Sequence, residues 1–335
     1  MNEFQHPDSI WTWDSSARSR RASLWVPYLQ TIKKAKSGWE VAYNGGEFVV
    51  DLRKTEAILF YGSSGDLPLA FLDDLAAHRV VMLIHRRNLA DPYVFYPAAR
   101  RDDIDLLTAQ ITARENFIRA AYVARTLVRE RFKATRYPVK EGFYQQLSKL
   151  RKIEEVRNAE ALQSRQYWGR FFSELGLEGE TRRGKNPVSA ALDACSFFLY
   201  GVLLRWVLMH KLSPAHGYLH VTTGYPSLVY DLMEPYRYIL EDVVQKIYLT
   251  QPKDLTAACL SELKFALETE VFVPSHRVVV RRKNLLHGAV LSLRAWLLKQ
   301  TDRLVFPTEG QRIGGRKPKV GYRLPGADSQ KKAPG

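Results

Sequence analysis

The sequence predicts an α+β protein, a small N-terminal β-rich domain followed by a larger all-α domain. Three observations predict it. Apolar residues alternate in short runs through roughly the first hundred positions. From Arg101 onward they recur at spacings of three, four and seven, the period of a helix face. The length of 335 residues is more than one hydrophobic core serves well, so the chain divides into 1–100, 101–305 and a tail over 306–335.

Taken in order, Trp39, Val41 and Tyr43, then Phe48, Val50 and Leu52, alternate around Asn44-Gly45-Gly46, which predicts a hairpin. Further strands are expected at 57–61, 80–84 and 93–96, with a helix over 67–78. Ile104, Leu107, Ile111, Ile118 and Tyr122 then mark helices. More helices are expected over 141–175, 188–211, 227–248, 255–269 and 285–299. Val278-Val279-Val280 is β-branched and fits none of them. From Phe306 the chain is rich in Gly, Pro, Lys and Arg without apolar period, and a flexible basic tail is expected, either embracing DNA or simply a disordered terminus.

Composition narrows the function. Lys and Arg number 50 against 35 Asp and Glu, a formal charge of +15 that attracts polyanions. Basic runs at Arg18-Ser19-Arg20-Arg21, Arg182-Arg183-Gly184-Lys185 and Arg281-Arg282-Lys283 suit backbone phosphates, although any single run reads equally as solvated surface and the summed excess is the firmer signal. Cys195 and Cys259 are too few for a disulfide scaffold or a thiolate zinc site, and Cys195 reads as a packed thiol. Residues 1–14 show no export signal, so a reducing cytoplasm is expected. The most apolar stretch, 194–204, lies between Asp193 and Arg205 and is shorter than the roughly 20 residues that span a bilayer, so it reads as a buried helix and no membrane partner is expected.

Two clusters carry chemistry. On the helix over 141–175, Glu160 shares a face with Ile153, Val156, Tyr167 and Phe171. An inward carboxylate needs a cation or donors, and a structural arginine would serve as well as a metal. The second cluster runs from Gly217-Tyr218-Leu219-His220 to Ser227, Asp231, Glu234 and Arg237. Ser227 is read as an N-cap. Asp231 and Glu234, three apart, project from one helix face and repel unless a cation or a basic partner sits between them. Pro235 pushes Glu234 toward non-helical geometry. His220 taken alone is a core histidine, but one imidazole with two carboxylates suits Mg2+ or Mn2+ better than zinc.

These residues resemble the CRISPR-associated integrases of the "Cas one" family. Glu160-Ala161 with Tyr167-Trp168 matches the family's glutamate helix, and Gly217 to Arg237 matches its glycine-aromatic-leucine-histidine signature followed by serine and two acidic residues. The stretch Arg182-Arg183-Gly184-Lys185-Asn186-Pro187-Val188-Ser189-Ala190 corresponds loosely to the family's connecting segment, with Asn186 and Ser189 departing from it. The resemblance implies a metal held by Glu160, His220 and Glu234, Asp231 joining the catalytic set, and Tyr230 flanking it. Together with the basic runs it leads to expected DNA contacts from Arg182, Arg183, Lys185, Tyr230, Arg237, Arg281, Arg282 and Lys283. It also implies endonuclease and integrase activity, in which a 3′-hydroxyl of a prespacer attacks a phosphodiester at the border of a double-stranded CRISPR repeat. The expected assembly is a homodimer, with two dimers bridged by the small "Cas two" protein. A casposase-like transposon integrase, a non-catalytic DNA-binding scaffold, and an RNA-binding module using Trp39, Tyr43 and Phe48 as a platform are the competing expectations.

Overall fold

Which faces are apolar decides how the first strands pair. In the computed structural model, which describes residues 22–62, 65–85, 93–95, 97, 104–221, 225–311 and 319–327, β1 (Ala22–Pro27) and β2 (Leu29–Ala35) precede the expected hairpin of β3 (Gly38–Tyr43) and β4 (Gly46–Val50). β5 (Thr55–Tyr61), α1 (Leu69–His78), β6 (Val81–His85) and β7 (Tyr93–Phe95) follow. β2, β3 and β4 form an antiparallel meander, and a second sheet runs β1-β5-β6-β7 with its first two pairings parallel. Parallel neighbours require crossovers, which the meander and α1 supply. The sequence reading missed β2 because its register shifts between Leu29 and Thr31, so its buried residues fall three apart rather than two. The run Arg18 to Arg21 lies outside the described residues.

The helical part comprises α2 (Ile104–Glu115), α3 (Phe117–Ala134), α4 (Phe143–Lys149), α5 (Ile153–Glu174), α6 (Pro187–Met209), α7 (Ser227–Met233), α8 (Arg237–Tyr248), α9 (Leu255–Glu268) and α10 (Lys283–Leu297). It is not purely α. Between α9 and α10, β8 (Glu270–Val273) and β9 (Val278–Arg281) form a hairpin, and this is where the three valines belong. The single helix expected over 141–175 is two, because Leu150 and Lys152 are extended. Glu155 restarts it by accepting from Lys152 N at 3.2 Å. Ile104, Ile111 and Ile118 of the expected apolar stripe face outward, at 75%, 38% and 53% exposure, while Tyr122 packs against Trp296. Leu106, Gln110, Ala113, Ala120 and Ala124 face the core instead. Small side chains let these helices approach their neighbours closely, and periodicity weighted by size overlooks them.

The four-stranded sheet is covered on both sides. Leu24, Val26, Ile58, Phe60 and Met82 pack toward the meander and α1, while Trp25, Leu59, Val81 and Leu83 join the helical core. Gly201 of α6 marks the closest approach, since a Cβ there would stand 2.7 Å from the Leu83 side chain. One turn on, buried Arg205 faces buried Glu56 at 3.8 Å, and Ser23 Oγ donates to Glu56 at 2.8 Å. Among the described residues α6 alone is long and apolar enough to cross a membrane, and 72% of that stretch is buried inside the fold. It is the core helix, with Cys195 buried in it as a free thiol. Trp39, Tyr43 and Phe48 are buried as well, so they offer no platform for RNA bases.

The tail expected from Phe306 is a strap where it is described. Phe306, Val320 and Leu324 are buried, a Cβ on Gly288 of α10 would meet Leu324 and Pro307, and Tyr322 Oη donates to Val305 O at 3.3 Å. These few apolar anchors are spaced irregularly along the segment, which is why no period betrayed them. Residues 312–318 and 328–335 lie outside the described set.

Candidate active site

The loop Gly217–His220 is folded around one carboxylate. Asp231 of α7 is fully buried; its Oδ2 accepts from Tyr218 N at 2.5 Å and Leu219 N at 3.0 Å, and its Oδ1 from His220 N at 3.0 Å and His220 Nδ1 at 2.7 Å. Gly217 has to be glycine here, because a Cβ would stand 2.7 Å from His220 O and 2.9 Å from Asp231 Oδ2. Ser227 is not the N-cap expected of it. Pro226 takes that place, and the buried Ser227 hydroxyl accepts from Gly217 N at 2.9 Å while donating to Ala215 O at 3.1 Å.

Asp231, expected in the catalytic set, is engaged by the loop that carries His220. Both oxygens accept from the loop, and one of them fixes the His220 ring. Since a carboxylate only accepts, His220 Nδ1 carries the hydrogen and Nε2 is the nitrogen left for a ligand or substrate. Burial lowers the His220 pKa, but Asp231, Glu234 and Glu160 together outweigh it and raise the group above its ordinary value.

Glu234 follows α7 in a 3-10 turn, Glu234–Tyr236, before α8 begins. Its backbone remains helical, at φ −51 and ψ −46, so Pro235 alters the hydrogen-bond pattern there rather than the dihedral angles of Glu234. The side chain is buried between two guanidinium groups. Arg237 Nη1 donates to Oε1 at 3.1 Å, and Arg131 Nη1 of α3 lies 2.8 Å from Oε2 without hydrogen-bond geometry. Burial alone would raise this carboxyl, but Arg131, Arg237 and His220 reverse that and hold it at about 2.

The same Arg131 nitrogen donates to Glu160 Oε1 at 2.5 Å, and Ser164 Oγ donates to that oxygen at 2.6 Å. Glu160 and Glu234, from α5 and the turn after α7, thus converge on one atom. The inward carboxylate of α5 has the arginine partner that the sequence left open. Among the described residues no three His, Cys, Asp or Glu side chains close into a coordination group, and Arg131 stands between two of the expected ligands. The donor set still fits a hard divalent ion. It offers two carboxylates, an imidazole fixed by a third carboxylate, and a buried Glu234 oxygen lacking a hydrogen bond.

Sequence reading missed Arg131 and the pair beyond it, Tyr167 Oη donating to Glu241 Oε2 at 2.7 Å with Arg237 Nε on Glu241 Oε1 at 3.4 Å. The signal was present in α3, where Arg131 sits one turn after the buried Leu127 and Val128 on the core face.

The expected phosphate contacts divide. Arg183 and Lys185 are exposed. Arg182 instead donates to Asp193 at 2.6 Å and lies over the Trp168 ring at 5.7 Å. Arg237 is half-buried in the carboxylate network. Arg281 and Lys283 both pair with Glu268, and Arg282 donates to Glu309 at 3.0 Å. These last five are engaged within the fold, because a basic run in one dimension says nothing of the acids that face it in three. Tyr230 stacks on Tyr225 at 4.7 Å and tilts against Tyr200 at 5.3 Å. Asn186, one of the departures from the resembled pattern, caps α6 by accepting from Ser189 N at 2.8 Å.

Comparison with known proteins adds to this geometry. A family model described as CRISPR associated protein Cas1 matches residues 28–254. A CRISPR-associated endonuclease Cas1 of Pyrobaculum aerophilum is 34% identical over 94 residues, 28% of this chain and 32% of that protein, so the match spans about a third of the relative's length. Among solved structures, a casposase bound to integration product is similar with a TM-score of 0.74 and 17% identity, over 92% of this chain and 96% of that one. The Cas1-containing chain of a Cas6-RT-Cas1–Cas2 complex is similar with a TM-score of 0.68 and 14% identity, over 90% of this chain and 37% of that one. At such identities the two structures speak for the fold.

Proposed function

The chain belongs to the CRISPR-associated Cas1 family, and from that premise we propose that it is a divalent-metal-dependent DNA integrase and endonuclease that joins short duplexes into a CRISPR array. One observation carries the reading: Glu160 and Glu234, distant in sequence, converge on a single Arg131 nitrogen, and His220 is oriented by Asp231 three residues before Glu234. Such a meeting of two carboxylates and an oriented imidazole is what a hard cation requires.

In this proposal Glu160, His220 and Glu234 hold Mg2+ or Mn2+, which supplies Lewis acidity toward a scissile phosphate and lowers the pKa of an attacking hydroxyl. The protein's own groups do the rest. Asp231 keeps Nδ1–H of His220 engaged so that Nε2 faces the reaction. Arg237 fixes Glu234, and Ser164 fixes Glu160. Exposed Arg183 and Lys185 hold backbone phosphates in register without reading bases. The 3′-hydroxyl of the incoming DNA end forms a new P–O bond as the old one at the repeat border breaks, and the displaced oxygen leaves as a 3′-hydroxyl. Water in place of the attacking end gives strand cleavage.

The proposed working unit is a homodimer in a prokaryotic cytoplasm, its N-terminal strands making partner contacts, with a Cas2-type protein bridging two dimers. The neighbouring Cas1–Cas2 complex supports that partner. A casposase-like transposon integrase is the second reading, favoured by the casposase likeness over nearly the whole chain. It differs in requiring terminal inverted repeats rather than a repeat array.

The test is strand transfer of a short duplex with free 3′ ends into supercoiled plasmid in Mn2+. Wild type is expected to join the DNA, and Glu160→Ala or His220→Ala to lose at least about 100-fold of the rate. Equal DNA binding by all three proteins with joining by none would identify a scaffold instead.

A further inference from the structure

We propose that Arg131 is the resident counter-cation of this site and that a divalent metal enters by exchange against it, which makes loading of the site responsive to DNA. The inference rests on the metal reading above. Arg131 and Glu234 are both nearly fully buried, at 6% and 2% side-chain exposure, and Glu160 is at 21%. A guanidinium nitrogen within 2.8 Å of both carboxylates occupies the region where a shared cation would sit. Two positive groups do not occupy one such space, so a divalent ion has to move the guanidinium aside or bind against its field.

The two carboxylates depend on Arg131 unequally. Glu234 keeps Arg237 when Arg131 leaves, whereas Glu160 keeps only the Ser164 hydroxyl. Glu160 is therefore the ligand that becomes available when the guanidinium turns away. The contact of Arg131 with Glu234 already lacks hydrogen-bond geometry, so that half of the bridge is electrostatic and yields more readily.

A displaced guanidinium in this position has a natural new partner. Arginine matches phosphate bidentately, and a phosphodiester at the site would accept what the carboxylates release. Metal and DNA then favour each other. By reciprocity, DNA tightens metal binding by the factor by which metal tightens DNA, and this coupling runs through Arg131.

The test measures Mn2+ affinity by calorimetry, with free Mn2+ counted by electron paramagnetic resonance, for wild type, Arg131→Met and Arg131→Lys, each with and without a short duplex. Arg131→Met without DNA is expected to bind Mn2+ about tenfold more tightly than wild type. Its thermal midpoint should fall in the absence of metal and recover with Mn2+. Arg131→Lys keeps a cation that reaches one carboxylate at a time, folds without metal, and should give an intermediate affinity. Adding duplex should tighten Mn2+ binding several-fold in wild type and leave Arg131→Met unchanged. Equal or weaker Mn2+ binding by both variants would overturn the proposal and make Arg131 an orienting group for the ligands. Should all three proteins bind duplex but none bind Mn2+, the metal reading itself fails, and the exchange with it.

Discussion

Asp231 shows how differently two acids of one motif are used. The sequence presents Asp231 and Glu234 as a like-charged pair on one face, and that much is legible, because three-residue spacing on a helix leaves no other geometry. Their separation is not legible. Asp231 satisfies three loop amides and an imidazole, while Glu234 lies between two guanidinium groups. Asp231→Asn would turn an acceptor into a donor facing donors, and should destabilise the protein by about 2–4 kcal/mol in urea denaturation. The inward direction of Glu160 was readable from its apolar neighbours, yet its partner was not, since Arg131 lies 29 positions away and no local pattern links them.

Helix ends and helix contacts set the limits at the next scale. The helix expected over 188–211 was legible, and its start at Pro187 follows the Asn186 cap. Its far end was not. His210 caps α6 and meets His287 of α10, Nε2 to Nε2 at 2.7 Å, with Trp206 stacked on His287 at 3.6 Å and 9°. Burial first, then Arg294 and Arg205, lowers His210 to about 4; burial first, then His210 and Arg205, lowers His287 to about 3. Both are neutral in the folded protein while the unfolded chain takes up protons in the ordinary histidine range. The unfolded state therefore binds more protons between that range and about pH 4, and stability falls as pH is lowered through this window. Denaturation midpoints across it should decline in wild type, and His287→Gln should flatten the decline. A slope unchanged by that substitution would assign the acid sensitivity elsewhere.

For the molecule as a whole, the order of a strand-rich part before a helical one was legible because the period changes, whereas sheet pairing was not. Ala57 pairs with Val81 across a helix, and Trp25 with Leu59 across a whole meander. Net charge was legible and its placement was not: of the described basic residues in the runs read from sequence, Arg183 and Lys185 remain exposed while the rest are engaged with acids of the fold. This yields a salt-dependence prediction. Replacing Arg183 and Lys185 with Gln should lower the slope of log binding constant against log salt by about 0.9 for each phosphate that the native side chain neutralises. Replacing Arg281 and Lys283 should leave that slope and reduce thermal stability instead. Fluorescence anisotropy over a KCl series separates the two. The turn that carries Glu234 has one more property, which comes from where it is stitched. Tyr236 donates to Pro307 O at 3.0 Å and Tyr238 to Glu309 at 2.6 Å, each across 71 positions. On a translating ribosome Glu160, His220 and Glu234 emerge before residues 307 and 309 do, so Tyr236 and Tyr238 gain these two long-range partners only once the strap has been made.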